Sequence, residues 1–139
     1  MEKQTLQLDI LTPEKRVVSA AVKFVAAPGA EGEFGVLPGH TDFFALLKSG
    51  EVVFEDAGGS HHVAVSWGYA HVRAEAVSIL VENAEKAEEI DLDRAKKDME
   101  HWEQAFAGVT SEDPNFETFR AKIERAKARI ETAQRVARR

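Results

Sequence analysis

The sequence has no cysteine in its 139 residues, which excludes a disulfide framework, a thiolate metal site and a cysteine nucleophile. It has no apolar run close to the roughly 18 residues that a membrane-spanning helix needs, and its first ten residues lack the apolar core of a signal peptide. Positive charge is also scarce, because 18 Lys and Arg face 24 Asp and Glu and leave a formal net charge of −6. A general nucleic-acid binder needs a basic footprint. We therefore expect a cytosolic protein that binds no nucleic acid and inserts no segment into a membrane.

Glycine is nearly missing from the second half of the chain, and charge is unevenly divided along it. Eight of the nine glycines lie between Gly29 and Gly68. The formal net charge is −5 over residues 1–84, −7 over residues 85–117 and +6 over residues 118–139. The length allows one compact domain with an appendage. The blocks of composition indicate two architectures in one chain, with a charge reversal inside the second.

Residues 1–86 predict an antiparallel β-sandwich. Leu6, Leu8 and Ile10 alternate with polar residues, which is the period of a half-buried strand. Many short strands separated by Gly and Pro turn signals are typical of a sandwich or a barrel. The other predicted strands cover residues 22–27, 51–55, 62–66, 68–74 and 77–82.

Residues 87–139 predict an antiparallel α-helical hairpin, so the expected fold class is α+β in two parts. Asp91 is a candidate N-cap for the first helix, and Asp113 with Pro114 is a candidate start for the second. Two runs of apolar residues recur at helical spacings of three and four: Leu92, Ala95, Met99, Trp102 and Phe106, then Phe116, Phe119, Ile123, Ala126, Ile130 and Ala133. The first helix is acidic and the second is basic, so their flanks attract each other weakly. A hairpin of this kind has little core, and we expect it to be mobile or to rest on another surface.

Residues that could carry chemistry are few. The five histidines show no metal-ligand spacing, and neighbouring His61 and His62 point to opposite faces of a strand. No serine lies in a GxSxG turn. The glycine-rich stretch 29–35 contains two acidic residues, which would repel a phosphate group. We predict neither a catalytic nor a metal site. A histidine-dependent hydrolase is an alternative that requires His40, His61 and His71 to converge.

Two segments suggest binding. The segment Gly32–His40, GEFGVLPGH, is either a plain connection between strands or a docking loop with exposed apolar residues. The basic helix over 120–139 is either a solvated face that complements the first helix or a docking surface for an acidic partner. One alternative for the whole chain is therefore a cytosolic β-sandwich module that uses its basic helix on an unrelated acidic partner.

Four segments, in order and over the whole chain, resemble one family. They are LDILTP at 8–13, EFGVLPGH at 33–40, GYAHV at 68–72 and EKAEEID at 85–91. With the LPGH loop in a β-domain and a helical hairpin after it, the chain resembles the epsilon subunit of bacterial F-type ATP synthases, whose mitochondrial counterpart is called delta.

The resemblance implies a subunit that performs no chemistry. It implies a place in the central stalk, where the sandwich binds the gamma subunit and couples it to the ring of c subunits during rotary ATP synthesis, driven by protons or sodium ions. It also implies that the hairpin either folds against the sandwich or extends along gamma toward the catalytic alpha and beta subunits, where it inhibits ATP hydrolysis. The location implied is peripheral, on the cytoplasmic face of the inner (plasma) membrane.

The resemblance also assigns contact residues. The residues implied for the c ring and gamma are Glu31, Phe34, Leu37, Pro38, Gly39, His40 and Asp42. The residues implied for an acidic segment of the beta subunits are Arg120, Lys122, Arg125, Lys127 and Arg129.

No cofactor is required by the resemblance, but some family members bind ATP as a regulatory ligand in the folded hairpin. The residues that match their pattern are Glu85, Ile90, Asp91, Arg94, Ala95, Arg125 and Arg129. Grouped guanidinium groups suit phosphate oxygens. His101 stands where stronger ATP binders carry a further arginine, and a mostly neutral imidazole implies lower phosphate affinity. The alternative is that Arg125 and Arg129 dock onto other subunits while Arg94 pairs along the helix flank.

Overall fold

The computed structural model describes residues 5–39 and 41–137, which form ten strands, one 3₁₀ turn and two helices. The strands are β1 (Leu6–Leu11), β2 (Arg16–Val22), β3 (Phe24–Gly29), β4 (Gly32–Val36), β5 (Phe43–Leu47), β6 (Gly50–Asp56), β7 (Gly59–Val65), β8 (Gly68–Val72), β9 (Ala76–Val81) and β10 (Ala84–Lys86). The 3₁₀ turn (Ala87–Glu89) leads into α1 (Leu92–Phe106) and α2 (Phe116–Ala137).

The strands form one strongly curved sheet in the order β10-β7-β6-β3-β5-β8-β9-β1-β2, with β4 paired to β3. The sheet folds back on itself, so that β2 contacts β6 and β10 and the two layers enclose a common core. In the described part, each strand pair is antiparallel except β1 with β9, which is parallel. The predicted fold class, a β-sandwich followed by a helical hairpin, is confirmed.

The core of the sandwich comes from alternate strand positions. Leu6, Leu8 and Ile10 of β1 are fully buried, and they pack with Val77 and Ile79 of β9 in one cluster. Burying an aliphatic side chain of this size contributes about 1.5–3 kcal/mol. The alternation in the sequence therefore identified the inward face of β1 correctly.

Four strands were not predicted from the sequence, namely β2, β4, β5 and β10. The segment predicted as a loop at Gly32–His40 begins with β4, because Gly32 to Val36 pair with β3 over five residues. A turn joins these strands so tightly that a Cβ atom on Gly29 would lie 2.5 Å from the Gly32 carbonyl oxygen. Glycines that permit this approach also lower strand propensity, which explains why the sequence pattern favoured a loop.

The hairpin forms as predicted. The Asp91 side chain accepts a hydrogen bond from the Arg94 backbone N–H at 3.1 Å, so Asp91 is the N-cap of α1. Asp113 Oδ1 accepts from the Asn115 N–H at 2.8 Å in the turn before α2. The helices join through ring contacts at their turn end: Trp102 with Phe119 at 5.7 Å, and Phe106 with Phe116 at 5.1 Å between centroids.

The hairpin rests on the sandwich through α2, which packs against β6, β7 and the 3₁₀ turn. Ala128 and Thr132 are buried although neither belongs to the predicted seam toward α1. With Arg125 and Arg135 they continue a second stripe at spacings of three and four, which faces the sandwich. Small side chains in this stripe let the helix approach the strands closely.

Candidate functional site

An exposed apolar surface covers the outer side of three neighbouring strands. Phe44 and Leu46 of β5 are 69% and 71% exposed, and Trp67 beside β8 is 61% exposed. Tyr69 of β8 lies opposite both Leu46 and Leu80 of β9. Side chains at paired positions point to the same face of a sheet. These five residues, Phe44, Leu46, Trp67, Tyr69 and Leu80, are called the apolar face below.

Aromatic contacts order the apolar face. The Phe44 ring stacks on His71 with 4.2 Å between centroids and 8° between planes, and it lies 6.5 Å from Tyr69. A groove of about 250 Å³ beside Trp67 and Leu80 extends the surface toward Pro13. A contiguous exposed apolar surface on a soluble domain marks a site of protein interaction. Sequence reasoning missed it, although FFALL and GYAHV carry apolar residues on both strand faces.

The predicted c-ring and gamma residues are divided by β4. Glu31 is exposed in the turn before β4, and a cleft of about 500 Å³ joins it to Phe34, Phe44 and Leu46. Phe34 is half-buried and packs edge-on against Phe43 at 5.4 Å, so it stabilises the sandwich.

The rest of this predicted set lies beyond the other end of β4. Leu37 is 61% exposed, Pro38 is half-buried, and Gly39 and Asp42 are exposed. The Gly39 N–H donates to the Ala74 carbonyl at 2.7 Å, which places this turn beside the β8–β9 turn. His40 lies outside the described residues.

Three of the predicted nucleotide residues line one cavity between the hairpin and the sandwich. The cavity measures about 310 Å³ and includes Glu85, Arg125 and Arg129 in its wall. The Arg129 side chain is 14% exposed, and its guanidinium bridges Glu85 at 2.7 Å and Asp98 at 3.4 Å. It therefore ties β10, α1 and α2 together.

The other four predicted nucleotide residues do not line that cavity. Asp91 caps α1, and Ala95 is fully buried. Ile90 is half-buried, and its N–H donates to Ala87. Arg94 is exposed on the first turn of α1. The geometry gives Asp91 and Ala95 structural roles in the hairpin.

The predicted beta-subunit residues separate into two groups. Arg120, Lys122 and Lys127 are exposed; Arg120 pairs with Glu117 and Glu124 along α2, and the Lys122 ammonium lies 5.8 Å above the Trp102 ring. Arg125 and Arg129 instead line the cavity beside the sandwich. Only the first group is open to a partner while the hairpin is docked.

A second polar cluster at the hairpin–sandwich junction was missed by sequence reasoning. Glu51 Oε1 on β6 accepts from His62 Nδ1 on β7 at 2.8 Å and from Arg135 Nη1 on α2 at 3.1 Å. The side chains of Glu51 and His62 are only 9% and 6% exposed. These three residues form the Glu51 cluster. No local pattern could reveal a contact between residues 84 positions apart.

The histidines do not form a catalytic group among the described residues. His61 on β7 stacks on Phe54 and pairs with Asp56, whereas His71 on β8 stacks on Phe44. Three strands separate β7 from β8 in the sheet, which removes the geometric basis of the hydrolase alternative. The His61 hydrogen bond, at 3.0 Å, is the main cause that lowers the pKa of Asp56.

Over residues 5–39 and 41–137, no group of three or more His, Asp or Glu side chains is placed to hold a metal ion. Within the same ranges, neither helix combines the length and the apolar character needed to cross a membrane.

Family comparisons match both parts of the chain. The model for the beta-sandwich domain of the ATP synthase Delta/Epsilon chain matches residues 5–87. The model for the long alpha-helix domain of the same chain matches residues 88–134.

Relatives match over nearly the full length. The ATP synthase epsilon chain of Citrifermentans bemidjiense is 47% identical over 136 residues, covering 98% of this chain and 99% of the relative. That of Nitratidesulfovibrio vulgaris is 45% identical over 130 residues, covering 94% and 96%.

Two solved structures share the fold. A chain of the Euglena gracilis mitochondrial ATP synthase has a TM-score of 0.77 at 24% identity, covering all of this chain and 84% of that one. A chain of the Tetrahymena thermophila mitochondrial ATP synthase has a TM-score of 0.59 at 17% identity, with 98% of each chain covered. With both family models and full-length relatives in agreement, the chain belongs to the delta/epsilon family of ATP synthase subunits.

Proposed function

We propose that the chain is the non-catalytic epsilon-type subunit of the central stalk of an F-type ATP synthase, coupling the gamma subunit to the c ring. The family match over residues 5–134 carries the proposal, and the apolar face supports it, because a contiguous exposed apolar surface is suited to assembly with another subunit. Family membership leaves no ground for the alternative of an unrelated cytosolic binding module. As a peripheral subunit, the chain would sit on the cytoplasmic side of the inner (plasma) membrane.

Gamma is the partner proposed for the apolar face. Obligate interfaces have apolar centres, and buried aromatic side chains often dominate their binding energy. The five large side chains of the apolar face provide such a centre. The c ring is the partner proposed for the turns at the two ends of β4, where Glu31 and Leu37 are exposed.

Gamma binding is tested by placing a charge on the apolar face. Leu46→Glu should lower co-purification with gamma and weaken binding about tenfold or more, since a buried charge without a partner is costly. Ser60→Glu, at an exposed position on β7, is the matched control and should bind like wild type. Equal gamma binding by the two variants would show that gamma does not bind to the apolar face.

Regulation is proposed for the hairpin. In its docked form only Arg120, Lys122 and Lys127 of the basic candidates are exposed, and extension would free Arg125 and Arg129 for the acidic segment of the beta subunits. Deleting residues 87–139 should therefore raise ATP hydrolysis by the assembled complex and leave gamma binding intact. Loss of gamma binding on deletion would contradict the proposed division of labour.

ATP is proposed as a regulatory ligand that favours the docked hairpin, without being required as a cofactor. The cavity beside Arg125 and Arg129 has room for part of a nucleotide, and Arg129 would exchange its bonds to Glu85 and Asp98 for phosphate oxygens. Millimolar ATP should slow proteolysis of α2, and Arg125→Gln should remove this protection while Arg120→Gln keeps it. Unchanged cleavage of the wild-type chain in ATP would reject the site.

A further inference from the structure

The Glu51 cluster joins the hairpin to the sandwich far from the turn end of the helices. Glu51 and His62 lie on neighbouring strands, and only Arg135 comes from the hairpin. Both contacts use the same carboxylate oxygen, Oε1. Since a carboxylate accepts, the His62 Nδ1 carries the hydrogen and fixes the position of Glu51.

The carboxylate of Glu51 is buried where α2 packs against β6. Its side chain is 9% exposed, and its second oxygen, Oε2, has no hydrogen-bond partner among the described residues. Burying a carboxylate is costly unless a cation and hydrogen bonds compensate for lost water. Arg135 supplies the cation from the solvent side, where its own side chain stays 58% exposed.

We propose that the Glu51 cluster is an ionic latch that holds the hairpin on the sandwich, with Arg135 as the releasable group and His62 as the positioning residue. When the hairpin leaves, Glu51 and His62 remain together on the strands and regain water. Arg135 is the member that departs. Without Arg135, the docked form keeps a buried carboxylate that has lost its cation, while the undocked form pays no such cost.

A cleft lies beside the latch, between the sandwich and α2. About 420 Å³ of space lies beside Glu51 and Arg135, bounded by Lys48 on the sandwich side and by Lys127 and Thr132 on α2. The fully buried Thr132 hydroxyl also lacks a partner among the described residues. Glu33, Glu124 and Glu131 complete the charged wall. Solvent ions that enter this cleft screen the pair, so salt should weaken the latch.

The latch is separate from the proposed nucleotide cavity. Arg129, which pairs with Glu85 and Asp98, precedes Arg135 by six residues along α2. Glu51 does not line the nucleotide cavity. The inference deepens the proposed regulation by naming the contact that the hairpin must break. It is tested on the isolated chain, so a negative result leaves the proposed place in the ATP synthase untouched.

Docking can be measured with two spin labels, since the chain has no cysteine of its own. Ser60→Cys on the sandwich and Thr110→Cys between the helices are both exposed and lie outside the latch. Pulsed dipolar spectroscopy then gives the populations of docked and undocked chains. Arg135→Gln should raise the ratio of undocked to docked chains about three- to tenfold. Glutamine is a good helix former, so α2 itself is retained.

Two comparisons test whether Arg135 acts through Glu51: a control variant elsewhere on α2, and the same Arg135 change in a chain that lacks the Glu51 charge. Arg120→Gln, which breaks only pairs within α2, should leave the ratio unchanged, and Arg135→Lys should keep most of the docking. In a Glu51→Gln background, Arg135→Gln should change the ratio less than about twofold, because the buried charge is gone. An equal effect of Arg135→Gln in both backgrounds, or no effect in either, would overturn the latch.

Salt provides a measurement that needs no change at Glu51. Raising NaCl from roughly 0.05 M to 0.5 M should release the wild-type hairpin, because ion pairs near the surface are screened over this range. The Arg135→Gln chain should show a smaller change. Equal salt dependence of the two chains would also overturn the latch.

Discussion

Asp56 shows how one side-chain contact makes a turn sensitive to acid. Its carboxylate accepts from the His61 ring at 3.0 Å and from the Gly58 N–H at 2.8 Å, in the turn from β6 to β7. The His61 contact is the largest cause of the lowered Asp56 pKa. A carboxyl group whose pKa falls on folding stabilises the native state above its ordinary value, near pH 4. That contribution disappears as the pH falls through the lowered value.

We predict that Asp56→Asn is less stable than wild type at neutral pH and that the difference narrows as the pH falls below about 4. Urea unfolding of the two chains at a series of pH values measures the stability difference at neutral pH and its decrease at low pH. Glu55→Gln is a suitable control, because the neighbouring carboxylate is exposed and contributes no contact to this turn. A difference that stays constant down to the lowest pH would mean that Asp56 acts without its charge.

At the scale of the element, α1 depends on its N-cap. Asp91 belongs to the predicted nucleotide set, yet in the structure its side chain satisfies the Arg94 N–H. Asp91→Ala should destabilise the chain by about 1 kcal/mol, within the range of 0.5–2 kcal/mol typical of lost caps. Asp91→Asn should stay close to wild type, since Asn caps equally well. Thermal unfolding distinguishes the two, and equal losses would contradict the capping role.

The elements that sequence reasoning found are those with a repeated signal. The apolar spacings in α1 and α2 and the alternation in β1 predict those elements, and Asp91 is a recognisable N-cap from sequence alone. The missed strand β4 contains two glycines in five residues, and its pairing with β3 depends on the tight turn at Gly29. Local strand propensity does not indicate that β4 forms, because the strand depends on this tertiary pairing.

The candidate sites divide in the same way. Leu37 lies in the segment Gly32–His40, which its composition marked as a candidate docking loop, whereas Glu31 came from the family resemblance. Glu85, Arg125 and Arg129 came from a family pattern. The apolar face and the Glu51 cluster depend on which strands become neighbours and on where α2 settles. Pairings as distant as Glu51 with Arg135 carry no local period in the sequence.

At the scale of the whole molecule, the hydrophobic core is formed by the strands of the sandwich, with little contribution from the hairpin. Among the described residues, the large buried apolar side chains lie on strands. The buried apolar residues after β10 are alanines: Ala87, Ala95, Ala126 and Ala128. The hairpin therefore buries few large apolar side chains, and the core of the sandwich is complete without it.

A chain ending after Lys86 should fold on its own, with one cooperative thermal transition and β-type circular dichroism. Its loss of stability relative to the full chain should be small, because the lost contacts are mainly alanines and the pairs of Arg129 and Arg135. A chain ending after Leu47 is the control and should not fold, since it lacks β6 to β9. A shortened sandwich that unfolds without cooperativity would show that the hairpin supplies part of its core.

The parallel pairing of β1 with β9 also sets an order of events during synthesis. β1 can pair with β2 as soon as both have left the ribosome, but its other edge must wait for Ala76 to Leu80. Contacts this distant along the chain are slow to form, and N-terminal segments emerge first. Closure of the sandwich is therefore a late step of folding. The surface on which α2 rests, built from β6 and β7, is complete before the helix itself is made.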